Sequence, residues 1–181
     1  YHPEGVFALQ AVLGLPVEKL PAPQHATTLC RLRGKRSPLT VGMIGHQRGH
    51  AKGVQHFPEI VRGILQSQQD VRILVHDGSN DLLPDIKAAL VRIAAEDKRA
   101  TLNQQKLDIA QWPALLDSLD LIVCPYSPSE YRLISSGVHN EAIANAIPSV
   151  VPANTTLAAA AAAFGGCSVT YAEDKAASII S

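Results

Sequence analysis

The sequence has few aromatic residues, no net charge and no long apolar run. Aromatic residues make up 4% of its 181 residues, and 16 lysine and arginine residues balance 16 aspartate and glutamate residues. With few rings for bases to stack on and no net positive charge, a nucleic-acid partner is not expected. No segment has the ~20 consecutive apolar residues needed to cross a bilayer. The overall balance, 46% hydrophobic and 18% charged, is that of an ordinary globular protein.

Cysteine and methionine are also scarce. The three cysteines, Cys30, Cys124 and Cys167, are odd in number and lack metal-ligand spacing. This usage indicates a reducing compartment, so we expect a cytoplasmic protein with free thiols. The chain begins at Tyr1 and its single methionine is Met43. We therefore expect it to be a piece of a longer protein.

From residue 39 onward, short apolar runs alternate with segments whose apolar residues recur at helical spacing. Such alternation predicts an α/β fold, a Rossmann-like doubly wound parallel sheet with helices on both faces. Residues 1–37 do not fit the pattern and are assigned to a linker or the tail of a preceding domain. Residues 38–181 form the predicted α/β domain. The strands are expected at 39–45, 71–75, 101–107, 119–126, 149–152 and 167–171.

The segment GHQRGHAKG, residues 45–53, directly follows the first predicted strand. In a doubly wound sheet, ligands bind where strands end and helices begin. Arg48 and Lys52, together with free backbone amides, would suit a diphosphate there. The segment matches neither a Walker loop nor G-x-G-x-x-G, and two exposed cations in a loop need have no function. His46, His50 and His56 lack a nearby cysteine or carboxylate that would complete a metal site, so no metal is expected.

A second polar segment, SSGVHNEAIANAIPSVVP, spans residues 135–152. Its first residues predict a helix N-terminus, where unpaired amides and the helix dipole favour an anion. Glu141 lies four residues beyond Gly137, a rise of roughly 6 Å on the same helix face. That is about the offset between a phosphate and the ribose hydroxyls of one nucleotide, and a carboxylate accepts strongly from vicinal hydroxyls. The alternative is that Glu141 complements the helix dipole and faces water.

Three motifs together resemble a known family. NEAIANAIPSVVP is similar to the E-A-x-A-x-G-x-P-V-V signature of retaining GT-B glycosyltransferases, which include sucrose and trehalose-phosphate synthases. TVGMIGHQRGHAKGVQHF resembles the donor loop of that family, and LLDSLDLIVCPYSPSEY resembles the run before the signature. The motifs occur in the family's order. The resemblance implies that residues 38–181 are the donor-binding, C-terminal domain of a GT-B enzyme.

The resemblance also implies roles for individual residues. Lys52 and Arg48 match the donor-loop cations that act on the leaving diphosphate. Glu141 matches the glutamate that holds the ribose of the donor. The family's first glutamate should stand at Leu133, and the nearest acid is Glu130, which is the candidate for contact with the donor sugar. The remaining predicted donor contacts are Gly45, His46 and the amides of Ser136, Gly137 and Val138.

The activity implied is transfer of a sugar from a nucleotide diphospho-sugar to a hydroxyl acceptor, with retention at the anomeric carbon and without metal or cofactor. The acceptor would be held by an N-terminal domain that this chain lacks, so the chain should bind nucleotide weakly and transfer nothing alone. Peripheral membrane association stays open. Two alternatives share the fold: a sugar-nucleotide epimerase and a non-catalytic binding module, the latter favoured by Leu133. An NAD-binding protein is a third alternative, opposed by the missing G-x-G-x-x-G.

Overall fold

A single sheet of six parallel strands forms the centre of the molecule, here seen in a computed structural model that describes residues 37–47, 49–164 and 167–180. The strand order is β3-β2-β1-β4-β5-β6. All six predicted strands are confirmed, and five differ from the predicted bounds by one or more residues. They are β1 (Leu39–Met43), β2 (Val71–His76), β3 (Ala100–Asn103), β4 (Leu121–Val123), β5 (Ser149–Pro152) and β6 (Ser168–Tyr171).

A helix follows each strand, and the helices cover both faces of the sheet. Helix α1 shows why: Phe57, Ile60, Val61 and Leu65 are buried at helical spacing, so one stripe of the helix packs on the sheet. One apolar cluster lies under α1, α2 and α6, and a second lies under α3, α4 and α5. The predicted doubly wound fold is confirmed. The helices are α1 (Phe57–Ser67), α2 (Pro84–Glu96), α3 (Gln111–Ser118), α4 (Gly137–Ala144), α5 (Thr156–Phe164) and α6 (Ala176–Ile180).

The strand order reverses between β1 and β4. These strands are neighbours, with Val41 opposite Leu121, yet the chain runs from β1 outward to β2 and β3 before returning to β4. The connections that leave β1 and β4 therefore depart to opposite faces and open a crevice between them. The two polar segments singled out in the sequence, 45–53 and 135–152, lie on these connections or directly beyond them.

The predicted linker, residues 1–37, lies outside the described residues except for residue 37, and Arg48 also lies outside them. The domain boundary near residue 38 stays a prediction. Among the described helices, none is both long enough and apolar enough to span a membrane.

Candidate functional site

A cleft of about 710 Å³ opens at the carboxyl end of the sheet, where the strand order reverses. Residues from both polar segments line it, including Lys52 from the first and Gly137 and Glu141 from the second. The two segments predicted to act together therefore do converge in space. The other lining residues are Gly45, His46, His76, Gly78, Ser79, Lys106, Leu107, Trp112 and Val138.

Two glycines allow the connection after β1 to approach the connection after β4. Gly45 has φ +100°, and a Cβ there would lie 2.7 Å from Val138 Cγ2 at the start of α4. Gly53 has φ +65°, and a Cβ there would lie 1.6 Å from the carbonyl oxygen of Pro125. A side chain at either position would be strained by the backbone angle and obstructed by its neighbour. Glycine at these two positions thus lets the connections meet.

Lys52 brings a positive charge into the cleft. It ends a short 3-10 helix (His50–Lys52), is half-buried, and lies with Nζ 5.4 Å from the centroid of the Tyr126 ring. Burial lowers the pKa of the Lys52 ammonium below its usual value. No carboxylate of the described residues lies within ion-pair distance of it. A partly desolvated cation without a protein counter-charge favours an anionic ligand.

The N-terminus of α4 lies on the other side of the cleft. Ser136 is its N-cap, and the Ser136 hydroxyl accepts a hydrogen bond from the His139 backbone N–H at 3.3 Å. The amides of Gly137 and Val138 belong to the first turn and have no intrahelical acceptor. Space is open where a Gly137 side chain would be. These amides and the helix dipole add a second feature that favours a negative charge.

Glu141 lines the cleft one turn further along α4, and its carboxylate is fixed by a tryptophan. The indole N–H of Trp112 donates to Glu141 Oε2, with the nitrogen and oxygen 2.6 Å apart. Both side chains are half-buried. Glu141 therefore lines the cleft with a hydrogen-bonded carboxylate, and its contact with a ribose stays a prediction.

The connections after β2 and β3 complete the cleft. At the end of β2, His76 Nε2 is 3.0 Å from the Gln105 carbonyl oxygen, so this nitrogen carries the proton and donates. Ser79 is hydrogen-bonded to Nδ1 of His46, which ties the connection after β2 to the one after β1. Neither the segment HDGSND, residues 76–81, nor Trp112 was among the predicted site residues. The signal that could have found them is that they follow strands β2 and β3 at the same edge as the predicted loops.

Glu130 is not among the residues that line the cleft. It is exposed on a 3-10 helix (Glu130–Arg132), and Leu133, which follows that helix, is 58% exposed. The structure therefore does not bring Glu130 together with Lys52 and Glu141, and its contact with a donor sugar stays a prediction.

His46, in the first polar segment, and His56, just beyond it, make different contacts. His46 contacts Ser79, whereas His56 Nε2 lies 3.0 Å from Asp174 Oδ1 on the approach to α6. Within residues 37–47, 49–164 and 167–180, no group of three or more histidine, cysteine, aspartate or glutamate side chains could hold a metal ion.

No protein-family model matches the sequence, and no curated protein matches it. Solved structures share its fold. The C-terminal domain of the group 1 glycosyl transferase LpcC from Francisella tularensis has a TM-score of 0.56 and 20% identity, over 78% of this chain and 71% of that domain. A protein assigned as a UDP-N-acetylglucosamine 2-epimerase from Listeria monocytogenes has a TM-score of 0.55 and 21% identity, over 78% of this chain and 34% of the other.

Staphylococcus aureus MnaA, in a structure with UDP, has a TM-score of 0.57 and 16% identity, over 78% of this chain and 35% of the other. The chain thus spans about a third of the length of these two proteins, from Listeria and Staphylococcus. At these identities the likeness concerns the fold alone. The parallel sheet has a doubly wound strand order, and the structural match is to a glycosyl transferase C-terminal domain. The chain has the fold of the C-terminal half of a GT-B-type glycosyltransferase, as its three motifs predicted.

Proposed function

We propose that this chain is the donor-binding domain of a glycosyltransferase and that its cleft binds a nucleotide diphospho-sugar. The observation that carries the proposal is that Lys52, the amides at the start of α4 and Glu141 face one cleft between β1 and β4. A cation and free amides suit a diphosphate, and a carboxylate about one helical turn away suits ribose hydroxyls.

In this arrangement the diphosphate lies between Lys52 and the amides of Ser136, Gly137 and Val138. The ribose then lies along α4 toward Glu141. Arg48 is included in the proposal because of its position in the donor-loop motif. Gly45 and His46 line the cleft and are proposed to contact the diphosphate.

The chemistry we infer is the departure of a nucleoside diphosphate from the anomeric carbon while an acceptor hydroxyl attacks. Negative charge develops on the leaving diphosphate, and fixed cations and amides stabilise that charge without reorganising. Loss of one such donor costs on the order of 10²-fold in rate. Retention of configuration and the absence of a metal requirement are parts of the proposal that come from the family resemblance. The acceptor would bind to a domain outside this chain.

A sugar-nucleotide epimerase is the second candidate. The Listeria protein assigned to that activity matches the fold as well as the glycosyltransferase domain does. Both activities need a donor cleft, so analysis of products made by the full-length protein separates them: an epimerised nucleotide-sugar supports the second candidate, and a glycoside with free nucleoside diphosphate supports the first. A non-catalytic module, favoured by the position of Glu130 outside the cleft, would give neither product.

The donor site is tested by titration calorimetry of the 181-residue chain with UDP, GDP and ADP. We expect one of the three to bind and Lys52→Ala to weaken it by about 10- to 100-fold, the range for a hydrogen bond to a charged group. Lys98→Ala is the matched control, because Lys98 is exposed and does not line the cleft. Equal affinities for wild type and Lys52→Ala would refute the proposed position of the diphosphate.

A further inference from the structure

We propose that Trp112 is a positioning residue that holds the Glu141 carboxylate for the ribose, and that it thereby sets the preference of the cleft for ribonucleotides. The inference rests on the proposed function. It starts from the contact between the Trp112 indole N–H and Glu141 Oε2 at 2.6 Å, which joins α3 to α4 across 29 residues of sequence. This distance is slightly shorter than the usual range of about 2.7–2.9 Å for charge-assisted N–H hydrogen bonds.

Trp112 is itself held in place from a second side. Its ring lies 6.0 Å from the ring of His76, with the two planes tilted by 56°. His76 is 4% exposed and donates from Nε2 to the Gln105 carbonyl oxygen at 3.0 Å, so its ring is fixed as well. Trp112 also packs against the apolar cluster under α3 and α4. These contacts fix the position of the indole N–H independently of its hydrogen bond to Glu141.

As a consequence, one oxygen of the Glu141 carboxylate, Oε2, is already hydrogen-bonded within the protein. Among the described residues no other side chain donates to it, so Oε1 is left for a ligand. A free glutamate has three rotatable bonds, and holding them in one arrangement removes part of the entropy cost of binding. An indole N–H only donates, so Glu141 Oε2 is its acceptor and Oε1 can accept from a ribose hydroxyl.

The test compares Trp112→Phe with wild type in titrations with a ribonucleoside diphosphate and its 2′,3′-dideoxy analogue, using the base that binds best. Phenylalanine keeps an aromatic ring and lacks the N–H. We expect the substitution to weaken the ribonucleotide by about 10-fold and to leave the dideoxy analogue within about twofold, because only the ribonucleotide uses Glu141. Since Trp112 is the sole tryptophan of the chain, its emission gives a second measure of binding to wild type.

Glu141→Gln is the second variant and guards against misfolding of Trp112→Phe. It should lose the same preference for ribose, and adding Trp112→Phe to it should change the ratio of affinities little, since both act through one carboxylate. An unchanged ratio of the two affinities in Trp112→Phe, whether both nucleotides lose affinity equally or neither loses any, would overturn the inference. If wild type binds neither nucleotide, the proposed function fails together with the inference.

Discussion

His139 makes the stability of this domain sensitive to acid. The residue lies in α4 and is 0% exposed, and neither of its ring nitrogens has a hydrogen-bond partner among the described residues. Burial lowers the pKa of the imidazole from 6.5 to about 4. The neutral ring is therefore the form that the folded state holds at neutral pH.

The direction of the effect follows from where the proton binds. In the unfolded chain His139 takes up a proton near pH 6.5, whereas in the folded domain it does so only near pH 4. Between these values the unfolded state holds more protons, so the free energy of unfolding falls as the pH falls. The contribution is complete above pH 6.5 and is lost through pH 4. The difference between the two pKa values corresponds to about 3 kcal/mol.

The assay is urea-induced unfolding of wild type and His139→Leu at several pH values between 7 and 4. We expect wild type to lose about 3 kcal/mol more stability over this range than His139→Leu, because leucine cannot take up a proton. Carboxylates titrate in both proteins and cancel in the comparison. His50→Leu is the control for replacing a histidine by leucine, since His50 is exposed. Parallel pH profiles for wild type and His139→Leu would refute the reasoning.

Two further predictions concern the connections around the cleft. Gly53→Ala should lower the free energy of unfolding by about 1–3 kcal/mol more than Gly49→Ala, because both have positive φ but only Gly53 has a backbone atom where the Cβ would be; equal losses in denaturant titrations would contradict the close contact with Pro125. Cys124 should resist iodoacetamide at pH 8 while exposed Cys167 is labelled, because burial raises the pKa of the Cys124 thiol to about 12. Peptide mass mapping follows both sites, and early labelling of Cys124 in the native protein would be inconsistent with its burial.

The fold could be predicted because each strand carries its own local signal. The runs near 71–75 and 149–152 are apolar and β-branched, and they are found as strands almost residue for residue. The run 119–126 shows where local signals stop: strand β4 covers only Leu121–Val123, and the Cys124 N–H still donates to the Val150 carbonyl oxygen before Pro125, which has no N–H. Proline has no N–H to donate to a neighbouring strand, so strand pairing cannot continue regularly through it. The apolar run alone does not show at which residue the pairing begins or ends.

The site was predictable in outline for a different reason. Topology alone brings the ends of β1 and β4 to one crevice, so segments 45–53 and 135–152 had to meet if the sheet was doubly wound. The contact between Trp112 and Glu141 was not predictable in the same way. It depends on how far α3 and α4 are displaced and rotated against the sheet, and helical spacing carries no information on that.

The connections after β1 and β4 are also fixed to each other. A substitution that disturbs this contact should therefore act differently from one that only removes a ligand-binding charge. The Ser127 backbone N–H donates to the Ala51 carbonyl oxygen at 2.9 Å, and Gly53 lies against Pro125. The entropy cost of ordering these segments is therefore met when the domain folds, and a diphosphate would find its donors already in place.

Gly53→Ala should accordingly lower stability and nucleotide affinity together. Lys52→Ala should lower affinity alone and leave the free energy of unfolding equal or slightly higher, because it removes a half-buried charge that has no carboxylate partner among the described residues.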